Sequence, residues 1–334
     1  MKAIWVFIVA FGVLRQSCDA QDSTRRKSYT DIIGKEDFQK NGLFKIHIVK
    51  EKCYFEIPKL LLGKDILIVT RISRGADQAG NSTMYPGDQV SNQVARFELA
   101  YPNKLLLKKV LFTNYSGDSS AQMYNSVIRS TFLPILAAFP IETFNKDSTA
   151  LVVDMTSYIL GDNEIFSFPY QKGLFSFNSL ATDKSFISEI KSFPLNVEVT
   201  TVKTFVKQIT EVGVPANNNV SFEFNTSIVL LPEELMQQRF SDMRVGYFSL
   251  SQTDYDANPN GIKPRIYIKR WRLEPKPEDV EKYKKGILVE PQKPIVFYID
   301  PATPKKWIPY LMQGVKDWQV AFEQAGFKNA IIAK

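Results

Sequence analysis

The chain of 334 residues has one histidine, His47, and two cysteines, Cys18 and Cys53, so its repertoire for metal or nucleophilic chemistry is narrow. An HExxH zinc site needs two histidines one helical turn apart and cannot form. A Ser-His-Asp or Cys-His arrangement would have to be built on His47 alone. His47 stands in "FKIHIV", where alternation turns it to the same side as Lys45 and Val49, and it reads as an ordinary strand residue. Cys53 could serve as an inhibitory thiolate to a zinc ion held elsewhere, but no motif surrounds it, and a buried structural thiol is the expectation. Carboxylates are plentiful without any two being singled out, and "GKD" at 63–65 is a turn rather than a phosphate loop. No residue of this chain is therefore assigned to catalysis, cofactor binding or metal ligation. Asp242 and Arg244 are expected to pair and fix the turn before Val245, a structural role.

A 44% apolar and 13% aromatic composition is that of a globular chain with a sizeable core, and the length allows two or three domains. The first 20 residues read as a signal peptide. Basic Lys2 precedes the apolar run Ala3 to Leu14, too short to span a bilayer, and a cleavage site follows Ala20. Arg15, Gln16 and Ser17 make a poor lipobox, so a lipid anchor on Cys18 is the lesser expectation. Export to the periplasm, the outer membrane or the medium follows, with no transmembrane segment. After cleavage only Cys53 remains, so an intramolecular disulfide cannot form and the core must supply stability. The net charge of +7 is spread along the chain. Its densest runs, "RRK" at 25–27 and "EKYKKG" at 281–286, form no aromatic-interleaved groove, which argues against a nucleic-acid partner.

The elements that would position these residues are mostly strands. "LFKIHIVKE", "CYFEIP" and "DILIVTRIS" predict a three-stranded antiparallel meander ending near Ser73. "QVARFELAYPNKLLLKKVLF" predicts a hairpin turning at Tyr101 to Lys104, with Pro102 at the second turn position. Helices are expected around Gln122 to Ser130 and Asp183 to Lys191. Val220, Phe222, Phe224, Thr226, Ile228 and Leu230 alternate with mostly polar neighbours as in a long half-buried strand, and "RVGYFSL" and "RIYIKRWRL" look like strands of the same sheet. Glu274 to Gln292, rich in Pro, Lys and Glu, reads as a linker.

Beyond it, "PIVFYI" (294–299) and "NAIIA" (329–333) flank a predicted helix from about Lys306 to Ala325. Trp307, Leu311, Gly314, Val315, Trp318, Phe322 and Ala325 form its apolar stripe, Pro309 fits only its first turn and Gly326 sits at C′. Strand, helix, strand is a βαβ unit with parallel strands, and two strands cannot cover such a sheet, so the unit is expected to be the incomplete start of a further domain.

Several stretches carry a resemblance: "YFEIPKLLLGKDILIVTRIS", "STFLPILAAFPIE", "SIVLLPEELMQQRFSDMRVGYF" and the long run from Ile266 through "AGFKNAI". They resemble the large bacterial zinc-dependent metalloproteases, metzincin-like zincins whose catalytic domain follows two domains of unknown function. The resemblance implies an α+β chain: a signal peptide over 1–20, a small β-rich domain over 27–75, a larger β-rich domain over 84–273, a linker over 274–292 and the start of a catalytic domain over 293–334. It implies zinc in the parent hydrolase and none in this fragment, which ends before the HExxH helix and should be inactive. The parent's partner would be a protein or peptide substrate. The alternative is a secreted β-rich module that binds protein or peptide without chemistry of its own.

Overall fold

The computed structural model describes residues 27–34, 38–75, 85–120, 122–168, 177–207, 219–258 and 261–334. The expected signal peptide and Cys18 lie outside the described residues. In chain order the strands are β1 (Phe38–Lys40), β2 (Lys45–Val49), β3 (Lys52–Pro58), β4 (Asp65–Arg74), β5 (Gln89–Ala100), β6 (Lys104–Lys109), β7 (Asn114–Tyr115), β8 (Ile135–Pro140) and β9 (Thr143–Phe144). They continue with β10 (Ala150–Asp154), β11 (Phe177–Ser192), β12 (Asn196–Lys207), β13 (Asn219–Leu230), β14 (Ser249–Asn258), β15 (Gly261–Ile268), β16 (Ile295–Phe297) and β17 (Ile331–Ala333). The α-helices are α1 (Tyr29–Ile32), α2 (Gln122–Ser130), α3 (Thr156–Leu160), α4 (Val280–Lys284), α5 (Ile308–Lys316) and α6 (Gln319–Gln324). The chain is β-rich and mainly antiparallel. It divides into one unit drawn from Met1–Leu111 and Phe132–Leu231 and a second from Phe112–Thr131 and Pro232–Lys334.

In the first unit a five-stranded sheet, β1-β2-β3-β10-β9, packs on a seven-stranded sheet, β11-β12-β13-β4-β5-β6-β8. Alternation explains the packing. Ile66, Ile68 and Ile72 of β4 and Phe222, Phe224 and Ile228 of β13 point inward, and Phe55 and Ile57 of β3 share a core with Ile66, Ile68 and Ile228 from the smaller sheet. The other face of β3 is buried as well, because Ile32 and Ile33 of the α1 segment cover Tyr54 and Val152. Where the β1–β2 turn approaches the β11–β12 turn, Leu43 N–H donates to the Phe193 carbonyl at 2.6 Å. A Cβ on Gly42 would lie within 2.6 Å of the Phe193 backbone, so only glycine fits there.

A polar row interrupts the inward face of the large sheet. Thr226, Thr70 and Ser91 occupy adjacent register positions on β13, β4 and β5. They separate the main core from a cluster of phenylalanines. Thr70 Oγ1 donates to the Ile165 carbonyl at 2.7 Å and Ser91 Oγ to the same oxygen at 3.0 Å. Because the Thr70 proton is used, Thr226 donates to Thr70 at 2.8 Å. Gln93 Nε2 donates to the Glu164 carbonyl at 3.0 Å, so buried loop carbonyls find donors in the sheet beneath them. Thr70→Val should cost about 1–3 kcal/mol, since Thr226 loses its acceptor in a buried site. Thr70→Ser should cost less, and equal urea midpoints for the two variants would show that the hydroxyl is dispensable.

Several expectations are corrected. "DILIVTRIS" does not complete a meander: β2 and β3 pair, but β4 lies between β13 and β5 in the other sheet. Strand partners are chosen by non-local packing, which a run of alternating residues does not encode. Both sheets of the first unit accordingly draw strands from both 27–75 and 84–273. Asp183 to Lys191 is part of β11, not a helix. Bulges between Ala181 and Phe186 and between Ile187 and Glu189 break its period of two and produce helix-like spacing. The strands near "RVGYFSL" and "RIYIKRWRL" are β14 and β15, and with β7 they form a separate three-stranded sheet in the second unit. The β5–β6 hairpin, α2 and β13 lie where the sequence places them.

In the second unit the Arg265 guanidinium sits 3.9 Å from the Tyr115 ring centroid, and Phe240 stacks on Tyr267 at 5.2 Å. Arg244 and Asp242 do pair, Nη2 to Oδ2 at 2.6 Å, on the exposed turn. Strands β16 and β17 are parallel, joined through α5 and α6, with Pro309 in the first turn of α5 and Gly326 at a φ of 91° just past α6. The predicted single helix is thus two, and only part of its predicted stripe faces inward: Val315 and Phe322 do, whereas Trp307, Leu311 and Trp318 remain 52%, 47% and 65% exposed. Ile308, Met312, Val315, Gln319 and Phe322 are the half-buried positions. Gln319 takes an inner place because its amide donates to the Phe327 carbonyl and accepts from Ala330 N–H, both at 3.0 Å, a role that hydropathy cannot flag. Residues 274–292 are more than a linker: α4 lies here, Val289 is buried with Phe327 and Ala330, and Tyr283 packs against that cluster.

Candidate functional site

The pairing of β2 with β3 sets Lys45 opposite Glu56 and His47 opposite Tyr54. On both strands the intervening residues face the large sheet, so Lys45, His47, Tyr54 and Glu56 share the outer face, beneath the α1 segment. Helix α1 is held by Asp31, whose carboxylate accepts from the Ser28 N–H at 2.8 Å. Ile32 and Ile33 press it onto Tyr54 and Val152, and this delivers Tyr29 to Glu56. Tyr29 Oη donates to Glu56 Oε2 at 2.9 Å, and His47 Nε2 lies 2.8 Å from the same oxygen.

The electrostatics are one-sided. Burial raises the Glu56 carboxyl, but hydrogen bonds from His47 and Tyr29 and the charge of Lys45 outweigh it and hold the group below the usual carboxylate range. Burial first, then the hydrogen bond and charge of Glu56, pushes the Tyr29 phenol up, so it stays a donor. An ionised carboxylate only accepts, so His47 Nε2 carries the proton, and its fully buried Nδ1 has no partner among the described residues.

A cleft of about 390 Å³ opens over Glu56 between the α1 segment, Lys45 and the turn at Asn145–Asp147. That turn is braced. Asn145 Oδ1 accepts from Ala150 N–H at 3.0 Å, and its amide donates to Thr149 Oγ1 at 2.9 Å.

The arrangement lacks a nucleophile. Cys53 points into the core from the other face of β3, and burial followed by the Asp154 charge pushes its thiol up, so no Cys-His pair forms. Among the described residues no three His, Cys, Asp or Glu side chains come together as a metal group, and no helix is long and apolar enough to cross a membrane. His47, expected as an ordinary strand residue, is a strand residue that anchors a buried carboxylate. Sequence reading missed Tyr29 and Glu56. The available signal was one charged residue inside the apolar "CYFEIP" run, on the strand after the lone histidine.

The interleaved sandwich, with its cleft on the outer sheet, has counterparts at the level of sequence families. The model of a domain of unknown function, DUF5117, matches residues 87–276, more than half of the chain, and the chain belongs to that family. A second, DUF5118, matches residues 26–75 ahead of it. The two matches correspond to the two N-terminal domains of unknown function expected from the sequence. No curated protein matches the chain, and no solved structure does. Tyr29, Lys45 and Glu56 come from the DUF5118 segment and the 145–147 turn from the DUF5117 segment, so the cleft takes walls from both.

Proposed function

We propose that this chain is the non-catalytic N-terminal portion of an exported zinc-dependent metallopeptidase. The observation that carries the reading is order along the chain: the two family segments come first, and a parallel βαβ unit over 293–334 follows, as at the start of a zincin domain. Zinc does not fit the described residues, because His47 Nε2 is committed to Glu56 and Cys53 faces the core. Peptide-bond hydrolysis is therefore assigned to a catalytic domain encoded downstream of Lys334.

The test is to read the coding sequence past Lys334 and to assay the purified chain. An in-frame HExxH within about a hundred codons, together with no stoichiometric zinc and no cleavage of casein by the chain, supports the reading. A stop codon at 335, or chelator-sensitive proteolysis by the chain itself, overturns it. A stop codon would favour a secreted protein- or peptide-binding module. Its supporting feature is the exposed apolar surface of the second unit, where Met243, Phe248, Leu250 and Trp271 all face solvent.

A further inference from the structure

We propose that the cleft over Glu56 binds a small zwitterion, a free amino acid or short peptide, whose ammonium meets Glu56 Oε1 and whose carboxylate meets Lys45 and Lys146. The geometry of the sandwich alone supports such a ligand, whether or not a metallopeptidase domain follows.

Glu56 lines the cleft. Its side chain is 10% exposed, and Oε2 takes both internal donors, Tyr29 and His47. Oε1 makes no hydrogen bond among the described residues, and the residue lines the cleft. A buried, ionised carboxylate with one oxygen spent and the other available is a fixed acceptor for a charged donor, and in a partly dry cleft such a bond is stronger than in water. Tyr29 and His47 are positioning residues: they hold the carboxylate in one orientation before any ligand arrives.

Two ammonium groups frame the same space. Lys45 is directly across the strand pair from Glu56, and Lys146 sits on the braced turn. Neither is in an ion pair among the described residues. Lys45 helps to keep Glu56 ionised without contacting it closely enough to quench it. Asp147 beside Lys146 adds a second negative charge at the rim. Charges of both signs disfavour simple ligands at either extreme: a multivalent anion meets Glu56 and Asp147, and a multivalent cation meets Lys45 and Lys146. A molecule with one charge of each sign satisfies both sets. Ile33 supplies an apolar wall for its side chain, and the cleft volume of about 390 Å³ falls at the small-ligand end of ordinary pockets.

The test is calorimetric titration of the purified chain with L-leucine and with Ala-Ala, against N-acetyl-alanine, which lacks the ammonium, and alaninamide, which lacks the carboxylate. Saturable binding of L-leucine or Ala-Ala is expected, about ten-fold or more weaker for each capped probe, and about ten-fold weaker in Lys45→Met. Lys45 is half-exposed, so that variant should melt close to the parent and decide the question even if Glu56→Gln fails to fold. Three results overturn the proposal: no saturable binding of either zwitterion at millimolar concentration, equal binding of the capped probes, or unchanged affinity in a folded Lys45→Met.

Discussion

Phe168→Ala is expected to lower the free energy of unfolding by about 3–5 kcal/mol, a large share of the stability a domain possesses. The ring is fully buried and lies 4.9 Å from Phe224, 5.2 Å from Phe205 and Phe222 and 5.7 Å from Phe177, centroid to centroid. These neighbours come from β11, β12 and β13, so one side chain closes a hole bounded by three strands. Removing it leaves rigid partners that cannot collapse into the space, and the cavity term then adds to the lost transfer energy. Phe186→Ala on β11, where the ring is 54% exposed, should stay within about 0.5 kcal/mol of the parent. Urea unfolding measures both, and a loss below about 1 kcal/mol for Phe168→Ala would show that the cluster is loosely packed.

Glu56→Ala should cost about 2–5 kcal/mol at neutral pH, because Tyr29 Oη and the fully buried His47 Nε2 lose their shared acceptor together. The cost should depend on pH with a definite sign. Glu56 is held below its ordinary value near 4.5, so the stability from its charged form is complete above that value and is lost as pH falls through the lowered one. The gap between parent and Glu56→Ala must therefore narrow on acidification. A gap of constant size from neutral pH to about pH 3 would mean that the acceptor is not an ionised carboxylate.

Much of the fold was legible where the determinant is local. The period of two in β13 marks one buried face, Pro309 can occupy only a first helical turn, and Gly326 has the positive φ that ends a helix cheaply. What was not legible depends on partners. Nothing in "DILIVTRIS" says whether it pairs with β3 or with β13, since both faces offer similar apolar rows. Bulges in β11 hide a strand behind helical spacing, and the face of α5 and α6 that turns inward is set by the strand leading into β17, which Gln319 binds through its amide. The candidate site followed the same division. His47 was visible as the lone histidine, but its meaning lies in Glu56, nine residues on and diagonal across a strand pair, and in Tyr29, which arrives from a separate helix.

The placement of β4 and β10 bears on ancestry. Strand β4, from the DUF5118 segment, has DUF5117 strands on both sides, and β10, from the DUF5117 segment, completes the sheet that β2 and β3 begin. Neither segment supplies a whole layer of the sandwich, so a recombination event that moved the DUF5118 segment alone would carry three of the five strands of one layer and one of the seven of the other. The two names mark stretches of similarity along a chain, whereas the inheritable object is their interwoven pair.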